Sequence, residues 1–296
     1  MKVAVAKYPI GEPRDFEAFA ARQEALLREA KAGGARLAVL PEYLALELAA
    51  MFAAATRSDL HASLAALQPL RGAWMALYTR LAREMGMWIN AGSFLLDGGH
   101  GRYRNRSDVF APDGGHLWQD KLRLTGFEKD TGVIESGDAL KVFEVDGVRA
   151  GIAICYDSEF PLLARAQVEA GMELLLVPSC TDSLHGYWRV RLGAQARALE
   201  GQCYAVQSPT VGEAAWSPAV DINRGAAAIY GPPDRGMPEN GVLAIGETDA
   251  AQWVFAEVDL ARVAELRADG GVLNARHWAE QPGGDALPPV EVVDLR

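Results

Sequence analysis

The sequence predicts an α/β protein whose strands form two packed mixed sheets with helices on the outer faces. Three observations carry this expectation. Strand and helix patterns alternate near both ends of the chain, as parallel strands joined by crossovers require. The middle is β-rich and broken by turn pairs, as an antiparallel meander requires. The strand patterns are also too many for one compact open sheet, which would have to be very wide.

Taken in order, Met1 to Pro9 reads as a first strand. Asp15 to Ala32 then places Phe16, Phe19, Ala20, Gln23, Leu26, Leu27 and Ala30 near one helical stripe, with Gly33-Gly34 as its stop. A short strand, Arg36 to Leu40, ends at Pro41. Helical patterns follow over the alanine-rich Leu44 to Ala54 and over Ala73 to Met85, then a strand over Trp88 to Leu95. Asp97-Gly98-Gly99 and Pro112-Asp113-Gly114-Gly115 set off the strands Tyr103 to Phe110 and His116 to Leu122. Strands at Ala139 to Val145 and Val148 to Ile154 are expected to continue that meander. Pro161 to Ala170 has helical spacing and stops at Gly171. Alternation then returns: strand Leu174 to Val177, helix Trp188 to Gly201, strands at Tyr204 to Gln207, Ala226 to Ile229, Val242 to Ala244 and Trp253 to Val258, and a last helix over Leu260 to Arg267.

With 296 residues, 50% of them hydrophobic, the chain can bury a sizeable core. The richest turn region, Tyr230 to Gly241, is too short to separate domains, so one domain over residues 1–296 is expected, with a C-terminal extension from about residue 260. A formal charge of −10 and the lack of any Lys/Arg run argue against a nucleic-acid partner. Three cysteines without dense spacing suit a reducing compartment better than a disulfide framework. Lys7 interrupts the first apolar run before a signal peptide could form, and Glu47 interrupts the most membrane-like stretch, Tyr43 to Thr56. A cytoplasmic protein with no membrane partner is the expectation.

Three apolar strands end in a polar residue where an α/β site would form. Cys155 follows the uncharged run Ala150 to Ile154 and lies close to the amino terminus of the next helix, whose positive end would lower a thiol's pKa. Taken alone, a lone cysteine is as readily a small core hydrophobe. Glu42 directly follows the strand ending in Leu40-Pro41; alone, it also suits a solvated loop. Lys121, in Gln119-Asp120-Lys121-Leu122-Arg123-Leu124, is alone read as an edge-strand lysine. His61, His100, His116, His185 and His277 are scattered, with no metal-ligand spacing, so no metal is expected. No Gly-rich phosphate loop follows the first strand, so no nucleotide cofactor is implied.

Together the segments Leu40-Pro41-Glu42-Tyr43, Asp120-Lys121-Leu122-Arg123-Leu124 and Gly151-Ile152-Ala153-Ile154-Cys155-Tyr156-Asp157-Ser158-Glu159-Phe160-Pro161 resemble the nitrilase superfamily of carbon-nitrogen hydrolases, over Val3 to about Glu257. Smaller echoes lie in Phe110 to Gly114 and Gln195 to Glu200. The resemblance implies a four-layer αββα sandwich, a cofactor-independent thiol hydrolase of non-peptide carbon-nitrogen bonds, and a homodimer or larger homo-oligomer. By resemblance, Cys155 is the nucleophile, Glu42 the general base and Lys121 the oxyanion stabiliser. A second glutamate maps onto Glu128, with Glu135 as competitor. Tyr156, through its backbone N–H, and Ser179 and Cys180, at the next strand end, are the expected oxyanion and substrate contacts. Tyr156-Asp157 after the cysteine looks like the amidase and carbamoyl-hydrolase branches, whereas nitrile-cleaving relatives usually carry Trp-Glu.

The expected substrate is therefore a small-molecule amide, with carbamoyl amines and nitriles as alternatives on the same residues. A Cys–His hydrolase using His185 is the nearest enzymatic rival. A catalytically silent scaffold is the alternative from a different class; retention of an internal carboxylate, ammonium and thiol argues against it. Tyr187, Trp188 and Trp216 are candidate pocket walls, and Asp182 and Arg224 candidate readers of a charged substrate, though each also suits ordinary packing or surface.

Overall fold

The computed structural model describes residues 1–281. The first half of the chain contributes β1 (Lys2–Pro9), α1 (Phe16–Ala32), β2 (Leu37–Val39), α2 (Ala54–Arg57), α3 (Leu60–Leu67), α4 (Arg71–Met85), β3 (Trp88–Gly99), β4 (Arg102–Phe110), β5 (His116–Asp120), α5 (Gly126–Asp130), β6 (Ile134–Glu135) and β7 (Val142–Val145). The second half adds β8 (Val148–Ile152), α6 (Pro161–Glu169), β9 (Leu174–Ser179), α7 (Leu184–Gly201), β10 (Tyr204–Glu213), β11 (Ile222–Asn223), β12 (Ala228–Tyr230), β13 (Val242–Ile245), β14 (Gln252–Glu257), α8 (Leu260–Asp269) and α9 (Asn274–His277). Of the stretch from about residue 260 that the sequence marks as an extension, residues 282–296 lie outside the described residues.

These strands make two sheets that meet at one corner. The first runs β5-β4-β3-β2-β1, with β14 antiparallel to β1 along Lys2 to Lys7. The second runs β10-β9-β8-β7, with β12 and β13 added beyond β10. Where β14 leaves β1, the ladder Tyr8↔Thr210 and Pro9↔Val211 joins β1 to β10 and makes the hydrogen-bonded path continuous. Alternation along β1 and β2 decides the layers, because neighbouring side chains point to opposite faces. Val3, Val5, Leu37 and Val39 share a core with Ile152, Leu174 and Leu176 of the second sheet. Ala4, Ala6 and Ala38 instead face Phe19, Leu27, Trp74 and Leu81 of the outer helices α1 and α4. This is the αββα sandwich.

Local chemistry explains the helices that flank the site. Asp15 caps α1 by accepting from Ala18 N at 2.7 Å, and Phe19, Gln23, Leu27 and Ala30 form its buried stripe. Ser183 caps α7 in the same way from Gly186 N at 3.2 Å. Leu44 to Met51 is not the amphipathic α-helix its alanines suggest but a 3₁₀ segment, buried from Leu44 to Ala50. With no solvent face to separate from a core face, periodicity there carries no signal. Even its Glu47 is interior, held by Arg22 Nη1 at 2.7 Å and Gly11 N at 2.9 Å.

The expected meander also needs correction. β3, β4 and β5 do form it, but β7 and β8 pair as a hairpin in the other sheet, beside β9. Short-range pairing is visible in turn residues; the sheet a hairpin joins depends on distant strands. Among the described residues no helix is long and apolar enough to cross a membrane.

Candidate active site

The carboxyl ends of β2, β8 and β9 and the end of β5 open on a common cavity of about 370 Å³, whose lining includes Glu42, Tyr43, Lys121, Cys155, Tyr156 and Cys180. Each polar residue is delivered by a loop with its own restraints. Glu42 and Tyr43 leave β2 across a bulge in β3, where Ser93 N donates to Pro41 O at 3.2 Å and Tyr43 N donates to Ser93 Oγ at 2.8 Å. Gly92 makes the approach possible: its φ is +68°, and a β-carbon there would lie 2.0 Å from the Pro41 carbonyl oxygen. Thr210 Oγ1 fixes the other side by donating to Glu42 O at 3.0 Å.

Lys121 lies one residue beyond β5, outside the strand run in which its sequence places it. Its backbone is held on both sides, with its N–H on Asn105 O at 2.9 Å and its carbonyl taking Gly137 N at 2.7 Å. Cys155 stands at a sharp turn. Its φ is 49°, a left-handed value that costs a non-glycine residue of order 1–3 kcal/mol and persists only when surroundings impose it. They do so through a 3₁₀ turn over Cys155–Glu159, in which Ser158 Oγ donates to Cys155 O at 2.7 Å. The Tyr156 amide in this turn has no acceptor among the described residues, so it is free to donate to a bound oxygen.

The side chains converge. Lys121 Nζ lies 2.8 Å from Glu42 Oε1 and 2.8 Å from Glu128 Oε2, and all three residues are 1–2% exposed. Asn105 Nδ2 donates to Glu42 Oε1 at 2.8 Å, and Tyr43 Oη donates to Glu128 Oε1 at 2.6 Å. Glu128 is fixed from below by a capping box, accepting from Thr125 N at 2.9 Å while Thr125 Oγ1 accepts from Glu128 N at 3.2 Å. The Cys155 thiol donates to the Cys180 carbonyl at 3.6 Å, with the Glu42 carboxylate as its other polar neighbour.

Two carboxylates share one ammonium here, so a negative charge is left over when all three are ionised. Burial raises the Glu42 carboxyl above its ordinary value; Lys121 opposes that shift and Glu128 adds to it. Burial likewise pushes the Cys155 thiol well above its usual range, helped by the Glu42 charge. Burial would lower Lys121, but the paired carboxylates outweigh it and hold the ammonium well above its usual value. Burial also opposes ionisation of Glu128, but Lys121 together with hydrogen bonds from Tyr43 and Thr125 outweighs it and keeps that carboxyl low. The lowering of the thiol pKa expected from the helix dipole is therefore outweighed. The regular helix α6 begins only at Pro161, six residues on, and Cys155, Asp157 and Ser158 of the intervening turn are buried. Cys155 rests as a thiol beside a base of raised proton affinity.

Other candidates separate cleanly in space. Glu135 is bound to Arg104 Nε at 3.1 Å, whereas it is Glu128 that contacts Lys121 Nζ. Ser179 is buried with its hydroxyl on Ser208 O at 3.4 Å and does not line the cavity, a departure from the expected contact. Strand alternation turns it away where Cys180 turns inward. Asp182 lines the cavity; Tyr187, Trp188, Trp216 and Arg224 do not. Trp188 is on the outer surface, Trp216 packs against the helix-side core, and Arg224 pairs with Asp249 at 2.6 Å. His185 is exposed and outside the lining, so it is not placed as a base for Cys155. Asn105 is the residue that sequence reasoning missed. Its alternation within β4, buried beside exposed or half-buried arginines, is a signal only once the strand is paired.

Residues 2–268 match the carbon-nitrogen hydrolase family model, and the chain belongs to that family. It is 30% identical to a probable hydrolase, YhcX, of Bacillus subtilis over 92% of this chain and 52% of that protein. It is 34% identical to the human deaminated glutathione amidase over 63% of this chain and 58% of that protein. The chain thus spans between half and two thirds of the length of these relatives. A solved carbon-nitrogen hydrolase from Helicobacter pylori has the same fold, with a TM-score of 0.73 and 20% identity over 90% of this chain and 92% of that one.

Proposed function

We propose that this protein hydrolyses a non-peptide carbon-nitrogen bond, most simply the amide of a small carboxylic acid, through a thioester on Cys155. One observation carries the reading: a single buried ammonium, Lys121, bound to both Glu42 and Glu128 at the wall of the cavity that holds the Cys155 thiol. In the first half reaction Glu42 takes the thiol proton as sulfur attacks the carbonyl carbon. Lys121 and the Tyr156 N–H receive the oxyanion, where one such donor is worth about 2.7–4 kcal/mol. Collapse breaks the carbon-nitrogen bond, and Glu42 returns the proton to the leaving ammonia or amine. In the second half, Glu42 takes a proton from water as it attacks the thioester, then gives one back to the departing sulfur. A carboxyl raised by burial suits this repeated exchange better than an ordinary one. Glu128, anchored by Thr125 and Tyr43, keeps Lys121 charged and aimed.

The names of the relatives support an amidase, and the size of the cavity supports a small substrate. Residues 1–296 would act as one hydrolase domain. Assembly into a homodimer or larger homo-oligomer is part of the same proposal. Leu184, Trp188, Leu192 and Leu199 form an exposed stripe at helical spacing on α7, with Leu162 of α6 also exposed. A second copy would cover an apolar strip of this kind.

Intact-mass trapping tests the chemistry. Wild-type protein incubated with a panel of amides, carbamoyl amines and nitriles should carry an acyl adduct and release ammonia or amine, and Cys155→Ala should do neither. Absence of both adduct and turnover across the panel would favour a silent scaffold.

A further inference from the structure

The Cys155 turn and the Lys121 loop come from segments more than thirty residues apart, yet an oxyanion must be met by both at once. What registers one against the other is a side chain outside the carboxylate, ammonium and thiol cluster. Asp157 is 3% exposed, and its carboxylate accepts from Arg123 N at 2.7 Å, Leu122 N at 3.1 Å and Ile154 N at 3.2 Å. The first two amides immediately follow Lys121, and the third immediately precedes Cys155. The Lys121 backbone itself is held to β4 through Asn105 and to Gly137, neither of which is hydrogen-bonded to the cysteine turn among the described residues. Among the described residues, the hydrogen bonds joining 121–123 to 154–156 all pass through this carboxylate.

We propose that Asp157 is a positioning residue that clamps the nucleophile turn to the lysine loop, so that thiol, Tyr156 N–H and ammonium stay in register through both half reactions. A carboxylate suits the position because it has acceptor sites for several donors and no donor of its own to clash with converging amides. The turn also needs an external restraint, since Cys155 is held at a φ it would not adopt alone. An amide side chain could serve one loop with its oxygen but would turn N–H groups toward the other. An alanine would leave three amides, that of Ile154 buried, without this acceptor. The geometric cost falls on the oxyanion more than on the thiol, because only the oxyanion needs both segments.

This inference rests on the proposed hydrolase reading, and the test separates the two. Asp157→Asn and Asp157→Ala are compared with wild type for amide turnover and for the rate of Cys155 alkylation by iodoacetamide, which forms no oxyanion. With loss of register, kcat should fall about 10- to 100-fold with KM changed far less, alanine more than asparagine, while alkylation of the folded fraction falls only a few-fold. Equal losses in both rates, or losses that merely track the folded fraction measured by circular dichroism, would overturn the clamp. So would wild-type kcat in the asparagine variant. If alanine does not fold, the asparagine variant alone decides between these outcomes. A wild type that turns over no amide and forms no adduct would instead remove the hydrolase reading, and the clamp with it.

Discussion

The Glu42 carboxylate and the Lys121 ammonium form a 2.8 Å ion pair whose side chains are 1% and 2% exposed. The partners come from different strands of the first sheet, Glu42 after the interior strand β2 and Lys121 after the edge strand β5. Taking two charges out of water is costly unless each finds a partner, and here Glu128 and Asn105 complete the set. Such a pair is weak evidence for stability and stronger evidence for a site, because apolar residues would fill the same space at less cost.

Removing the cation should therefore damage both fold and chemistry. Lys121→Ala leaves Glu42 and Glu128 buried without their shared counter-charge, and a loss of about 3–5 kcal/mol is expected in urea denaturation at neutral pH. Lys121→Met, which fills the volume, should recover part of that stability with no recovery of amide turnover.

The pH profile should follow Glu42. As the proposed base it must be ionised, and burial raises its carboxyl above the ordinary value of 4.5. Activity is then present above that raised value and lost as pH falls through it, so the acid limb of kcat/KM should lie above pH 4.5 and show a single-proton slope. In Glu42→Gln turnover itself should be lost at every pH. An acid limb at or below 4.5 in wild type would count against this role.

Tyr43→Phe removes the 2.6 Å donor to Glu128 with little change in volume. Hydrogen bonds to charged groups contribute about 1.5–3 kcal/mol, so a stability loss of that order is expected. A several-fold drop in kcat should accompany it as Glu128 loses one of its anchors. Paired thermal melts and initial rates would measure both.

Gly92→Ala tests the bulge that carries Glu42. The added β-carbon would meet the Pro41 carbonyl at 2.0 Å on a backbone with φ +68°. Left-handed backbone alone costs a side chain about 1–2 kcal/mol, and the carbonyl must also move. The folded variant should show lower kcat than its stability loss explains, since the displaced segment carries Glu42, the proposed base. A variant with wild-type kcat per folded molecule would sever the bulge from catalysis.

Assembly is tested on the α7 stripe. Leu192 is 59% exposed, and Leu192→Lys should leave the monomer folded while shifting sedimentation toward smaller species. Unchanged sedimentation would place any self-association elsewhere.

Short-range chemistry explains what could be read from the chain alone. The β1, α1, β2 unit, the caps and stops, and the β3 to β5 hairpins are set by neighbouring residues, so periodicity and turn pairs report them. Glu42, Lys121 and Cys155 were each a weak signal at a strand end and became legible together through the family resemblance, which also offered Glu128, with Glu135 as competitor. Long-range packing decided the rest. Only the folded chain moves β7 and β8 to the second sheet, turns Ser179 away and Cys180 inward, and brings Asn105 and Tyr43 to the charged cluster. It also reverses the expected direction of the thiol's pKa shift, because desolvation and a neighbouring carboxylate depend on what surrounds Cys155 in space. Sequence set the kinds of groups available; the distances and the dielectric around them, which decide who holds the proton, arise when distant strands close over one another.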